Sequence, residues 1–182
     1  MSNLREGRGP RVAAVPPGDD RQRLVCPDCG YVAYENPRIV VGTVCRWAGR
    51  ILLCRRAIEP RCGYWTLPAG YLERHERPEE GARREAWEEA RARVTVGPLM
   101  AVYSLVRISQ VQLIYCGRLA SPELMPGPES EAVALFTWDE IPWDELAFPT
   151  VRWALERDRA VGDSSMVIAA SNPEPELPPE RW

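Results

Sequence analysis

Long apolar runs are missing from this chain, which excludes a helical membrane span: no stretch approaches the roughly 20 consecutive apolar residues that a bilayer requires. Met1 to Asp20 also lack the apolar core and small-residue cleavage site of a secretory signal, so a cytoplasmic location is expected. A surplus of positive charge is missing too. The formal net charge of -3 and the isoelectric point near 5.4 give no general pull toward nucleic acid or an anionic membrane, so a small anionic substrate would need a specific site. Lysine does not occur: all 23 basic residues are arginine, the outcome of a GC-rich genome or of a demand for bidentate phosphate contacts. The six cysteines have no regular spacing, and Cys45, Cys54 and Cys116 lie in strand-like apolar runs. That pattern excludes a disulfide framework and marks those three as reduced core residues. His75, the one histidine, and Cys62 are too few to build a metal site of their own.

What is present suits one ordinary core with trimmings. The chain has 182 residues, 45% of them hydrophobic, and two full domains would be cramped. Residues 1–23 are rich in Arg, Pro and Gly without periodicity, and residues 162–182 end in a proline-rich tail; both are expected to be flexible. Between them lie a Cys-x-x-Cys knuckle at 24–37 and the main folded unit at 38–161. Arg38 to Trp47 and Arg50 to Arg55 read as a hairpin turning at Ala48-Gly49. A helix starts near Pro78, with Glu79 and Glu80 at its positive end. Ala82, Ala86 and Ala90 give it a narrow apolar stripe, widened by Trp87 and Val94. Strands are expected around Thr95 to Val106, Val111 to Leu119 and Ala132 to Trp138, and a last helix over Thr150 to Arg159. Strands on both sides of a central helix, with a second helix at the end, define an α/β chain with a mixed sheet between helices. Tyr64, Trp65, Tyr103 and Trp138 could stack on a base or fill the core.

Glu85, Glu88 and Glu89 stand at i, i+3 and i+4 on the central helix, so their carboxylates leave adjoining parts of one face. Such like charges repel by roughly 0.2–0.5 kcal/mol per pair, a cost that a divalent cation would turn into attraction. Carboxylate oxygens are hard ligands that favour magnesium or manganese, which keep waters and bridge to substrate phosphates. An ordinary solvated helix face would show the same residues, so the surrounding spacing decides between the two.

That spacing resembles the box of the Nudix hydrolases: Gly70, five residues, Glu76, seven residues, Arg84-Glu85, two residues, Glu88-Glu89. Leu67-Pro68-Ala69 before it and Glu73 within it are similar to that family as well, and the resemblance runs from about Val25 to Arg159. It implies an α/β/α Nudix sandwich and a metal, Mg2+ or Mn2+, held by Glu85, Glu88, Glu89 and Gly70. It also implies Glu76 as a supporting residue and Arg84 as the fork that holds a carboxylate. The reaction implied is attack of water on a phosphorus of a small nucleotide, a nucleoside diphosphate linked to another group, with ADP-ribose or FAD favoured. A downstream loop glutamate often serves the family as base; Glu129 is the first candidate and Glu131 the second. The family box usually carries Gly where this chain has Arg91, which suggests a helix that runs on for another turn.

Cys26-x-x-Cys29-Gly30 followed by Tyr34-x-Asn36-Pro37 resembles the lead-in of zinc-ribbon Nudix proteins, of the ADP-ribose and FAD pyrophosphatase type. Four ligands close a structural zinc site, and residues 1–25 contain no cysteine, so structural Zn2+ is not expected. Two other classes compete with the enzyme. A catalytically silent nucleotide-sensing module is opposed by the intact glutamates, and a zinc-ribbon nucleic-acid adaptor by the missing ligand pair and the acidic isoelectric point. A homodimer is left open.

Overall fold

The computed structural model describes residues 9–173 except Asp163 and Ser165. The expectations for residues 1–8 and for the proline-rich end at 174–182 lie outside the described residues. The chain divides into two compact units, one up to Pro37 and one from Arg38 onward.

The first unit is a small antiparallel sheet of β1 (Val12–Ala14), β2 (Arg23–Val25) and β3 (Val32–Ala33), in that order. Regular structure therefore begins well before the knuckle, inside the stretch expected to be flexible. Val12 pairs with Val25 and Ala14 with Arg23. The guanidinium of Arg11 grips both carboxylate oxygens of Asp28 at 2.8 and 3.2 Å, tying the entry of β1 to the knuckle. Within the knuckle Gly30, at φ 74°, donates its N–H to the Cys26 carbonyl, and Cys26 donates to Tyr31.

The second unit is a mixed sheet with a helix on each face. Its strands are β4 (Arg38–Trp47), β5 (Arg50–Arg56), β6 (Trp65–Thr66), β7 (Ala69–Tyr71), β8 (Val94–Leu105), β9 (Gln110–Leu119) and β10 (Ser130–Phe136). The order is β10-β5-β4-β9-β8, with β6 paired to β5 and β7 to β4; β4 and β9 run parallel, and the other strand pairs described are antiparallel. The β4–β5 hairpin turns at Ala48 and Gly49, both at positive φ, the turn form whose twist matches the strands it joins. Direct β4–β5 pairing is confined to Arg46–Ile51 and Trp47–Arg50. Beyond that the two strands splay, and the segment from Trp65 to Tyr71 fills the gap, β6 on β5 and β7 on β4.

Alternation along the central strands sorts side chains to two cores. Leu52, Cys54 and Cys45 face α1 (Pro78–Ala90), meeting Ala86 and Ala90; Ile51, Leu53 and Val44 face α2 (Pro149–Val161), meeting Val151, Ala154 and Leu155. The alanine stripe is fully buried, so the helix backbone lies close on the sheet. Trp87 does not widen that stripe: it is 44% exposed, while Val94 belongs to β8. Cys45 and Cys54 are buried free thiols, pushed up by that burial, and Cys116 is half-buried. Tyr103 is a core residue, edge-on to Trp153 at 5.4 Å, whereas Tyr64 is exposed.

The stretch expected to be flexible after α2 is partly pinned. Ala170 lies parallel to Ala101, its N–H on the Met100 carbonyl and its own carbonyl taking the Val102 N–H. Asn172 then uses its side-chain amide as a strand would use its backbone, accepting from Ser104 N–H at 2.8 Å and donating to Ser104 C=O at 2.9 Å. The outer edge of β8 is thereby paired by the chain itself.

Candidate active site

The splayed hairpin, the helix and one loop build the site together. α1 begins at Pro78, whose missing N–H costs nothing at a first helical position. The Arg77 N–H donates to the Glu80 carboxylate at 2.9 Å, satisfying one donor at the helix start. Before it, Glu76 accepts the Glu73 N–H at 2.7 Å and so closes the turn between β7 and the helix.

Arg84 is the hub. Its guanidinium donates to Glu76 at 2.7 and 3.1 Å, to Glu85 at 2.7 Å, to Glu88 at 2.9 Å and to the Tyr71 carbonyl at 3.0 Å. Three carboxylates and a backbone oxygen thus share one planar cation, which raises its pKa and lowers that of Glu76. Gly70 lies directly beneath the Glu85 carboxylate; a Cβ at that position would fall on the carboxylate itself.

Glu85 and Glu89 are buried, while Glu88 is exposed. Loss of water raises the Glu85 carboxyl, against the pull of Arg84. Glu89 goes further, pushed up to about 8 by burial first and by the neighbouring Glu85 second; the Ala69 N–H and Arg56 pull it back more weakly, and Glu129 adds a small upward push. Among the described residues no arginine is hydrogen-bonded to Glu89 in the way that Arg84 serves Glu85. Among the described residues no three Cys, His, Asp or Glu side chains close on one metal-sized point. Arg84 instead holds Glu85 and Glu88 on its own guanidinium. The donor set still fits a hard divalent cation, being all oxygen, partly buried and short of positive charge at Glu89.

The loop before β10 forms the third wall. Gly127 donates its N–H to the Glu89 carbonyl at 2.9 Å and Met125 donates to Ala90 at 3.0 Å, occupying carbonyls that a helix end leaves free. A Cβ on Gly127 would collide with the Glu88 carbonyl, so glycine permits this approach. Two residues on, Glu129 is exposed and near enough for its charge to act on Glu85 and Glu89. Glu131 is turned elsewhere. It occupies an irregularity between Ser130–Arg56 and Ala132–Arg55, and its carboxylate meets Arg55 at 3.7 Å and the Cys62 thiol at 3.6 Å. His75 is exposed in the turn before α1.

The helix does not run on past the glutamates. It stops at Ala90, and Arg91 adopts φ 52°, ψ 23°, the left-handed cap in which glycine is common. Its N–H closes on Trp87 C=O at 2.9 Å, so the turn geometry is kept although its usual residue is not. Two contributors escaped the sequence reading. Arg56, at the end of β5, acts on the Glu89 charge, and Gly127 sets the distance of the loop. A glycine between two prolines in that loop was the one available signal.

This geometry has known counterparts. The NUDIX domain model matches residues 36–154, and the Nudix N-terminal model, that of a zinc ribbon, matches residues 9–35. The chain belongs to the Nudix family. A crystal structure of a NUDIX hydrolase from Nitrosomonas europaea superposes with a TM-score of 0.84 at 38% identity, covering 94% of this chain and 99% of that one. A MutT-like protein from Streptomyces ambofaciens is 40% identical over 102 residues, 56% of this chain and 64% of that protein, just under two thirds of its length. An ADP-ribose pyrophosphatase from Methanocaldococcus jannaschii is 29% identical over 122 residues, 65% of this chain and 71% of that protein. Within residues 9–35, Cys26 and Cys29 are the only cysteines. No helix among the described residues is long and apolar enough to cross a membrane.

Proposed function

We infer that this chain is a magnesium- or manganese-dependent pyrophosphohydrolase that splits a nucleoside diphosphate linked to a second group, with ADP-ribose or FAD as substrate. The observation that carries this reading is the buried pair Glu85 and Glu89 beside Gly70, with one arginine bonded to Glu85 and none to Glu89 among the described residues, and with Glu88 one helical step away. A divalent ion bound there would neutralise phosphate oxygens and lower the pKa of an attacking water. Glu85, Glu88, Glu89 and the Gly70 backbone would hold it.

The residues of the chain supply the rest. Arg84 orients Glu85 and Glu88 until they are needed as ligands, and through Glu76 and Tyr71 it fixes the helix against β7. Glu129 stands at the mouth of the cluster and takes the proton of the attacking water, leaving Glu131 to its pairing with Arg55. The diphosphate linkage is the point of cleavage, because charge develops on bridging oxygen and the acidic cluster is the place where cations gather. ADP-ribose is favoured by the similarity to the Methanocaldococcus pyrophosphatase.

The test is turnover of a dinucleotide panel with magnesium in water enriched in heavy oxygen. ADP-ribose should give AMP and ribose 5-phosphate, and FAD should give AMP and FMN, each with the label on a phosphate. Glu88→Gln and Glu89→Gln should each remove most of that turnover while leaving a folded chain. Label on a sugar carbon, inorganic phosphate as the first product, or full activity in both variants would overturn the assignment.

A further inference from the structure

Where α1 ends, the molecule has a second recess, apart from the glutamate cluster. Trp87 and Arg91 from the helix end, Arg93 just before β8, and the loop stretch that includes Glu123 and Met125 border an open depression of about 280 Å3. Trp87 is 44% exposed and Met125 59% exposed, so an aromatic plane and a thioether are open to solvent beside two guanidinium groups. Among the described residues neither Arg91 nor Arg93 has a carboxylate partner.

Arg91 carries the strongest hint. Its backbone sits in the left-handed region that favours glycine, so its side chain is kept there at a conformational cost. The guanidinium lies 5.7 Å from the Trp87 ring centroid, which holds the cation against the aromatic wall of the recess. Outliers of this kind gather where the side chain is used.

The lining selects a ligand chemistry. Two arginines suit phosphate oxygens, Trp87 and Met125 suit the flat face of a heterocycle, and the Glu123 carboxylate can accept from an exocyclic amino group. The volume lies just below the roughly 300–1,000 Å3 range of small-molecule sites, room for one mononucleotide rather than two. We propose that this recess binds a nucleoside monophosphate with an amino-bearing base, of which AMP is the simplest case. The site is independent of the hydrolytic reading above. Its loop wall is the one tied to α1 by Met125 and Gly127 and continuing into Glu129, so an occupant bears on the loop that flanks the glutamates.

The test is a titration of the isotope-labelled full chain with AMP in EDTA, followed by amide and indole NMR signals. The Trp87 indole N–H and the amides of Arg91, Ser121 and Glu123 to Met125 should shift together and saturate with a Kd below about 1 mM. Adenosine, which lacks the phosphate, should bind at least about tenfold more weakly, as should AMP to the double variant Arg91→Gly, Arg93→Ser. Glycine at 91 suits the backbone there, so the variant is expected to stay folded; Trp87→Ser gives a second variant that leaves both cations in place and should also weaken AMP. Shifts confined to the surroundings of Gly70, Glu85 and Glu89 would overturn the proposal, as would equal affinity for AMP and adenosine or an affinity untouched by these substitutions.

Discussion

Replacing Glu89 with glutamine keeps the size of the side chain and removes its proton equilibrium, and the structure gives the consequence a sign and a size. In the folded chain the carboxyl is held up to about 8, against an ordinary value of 4.5. Between those two values the unfolded chain has released the proton while the folded chain still binds it. Stability of the metal-free protein therefore falls as pH rises across that window, by about 1.4 kcal/mol for each pH unit. Over the whole window the loss is roughly 4 to 5 kcal/mol, of the same order as a small domain's entire stability. Chemical denaturation in EDTA at pH 5 and at pH 8 should then show wild type losing several kcal/mol relative to Glu89→Gln, with the two close together at the acid end. Magnesium at about 100 times its Kd should return about 2.7 kcal/mol to wild type at pH 8 and less to the variant. Parallel stability profiles in EDTA would refute the reasoning, because they would mean that Glu89 is ionised at little cost in the folded chain.

Gly127→Ala should lower kcat about 100-fold with far less effect on thermal stability, since the new methyl meets the Glu88 backbone and displaces the Glu129 loop; unchanged kinetics would show that the loop distance is irrelevant. Arg91→Gly should raise Tm by about 1–2 °C, the relief of a left-handed backbone outweighing the lost contact with Trp87, and calorimetry checks the sign. Asn172→Ala should cost about 1 kcal/mol in urea denaturation and speed amide exchange at Ser104, because both of its bonds lie along the β8 edge.

Much of this arrangement was written in short-range pattern. The alanines at 82, 86 and 90 announce a helix pressed on a sheet, Ala48-Gly49 announces the hairpin, and the spacing from Gly70 to Glu89 brings the box residues onto adjoining surfaces. Features set by distant pairing were not legible. Val12–Ala14 is too short to carry a period, and Ala170 earns its place only by meeting Ala101, far back in the chain. The end of α1 was misread because Arg91 looks like a helix residue, while the loop bonds from Met125 and Gly127 complete the stop. The division between Glu129 and Glu131 depends on one irregular residue in β10, which composition cannot display.

The parallel pairing of β4 with β9 has a consequence for the newly made chain. Arg38 faces Gln110 and Arg46 faces Arg118, a constant separation of 72 residues, and everything from Gly70 to Glu89 lies inside the loop that this pairing closes. At roughly 5–20 residues per second of synthesis, β4 waits on the order of 4 to 14 seconds for its partner. During that interval the β9 side of β4 is bare, and Val44, which faces α2, has no cover from that helix, although it is buried in the finished fold. Nascent chains stalled before Leu119 should therefore recruit chaperones, and the capacity to gather cations should appear only after β9 has left the ribosome.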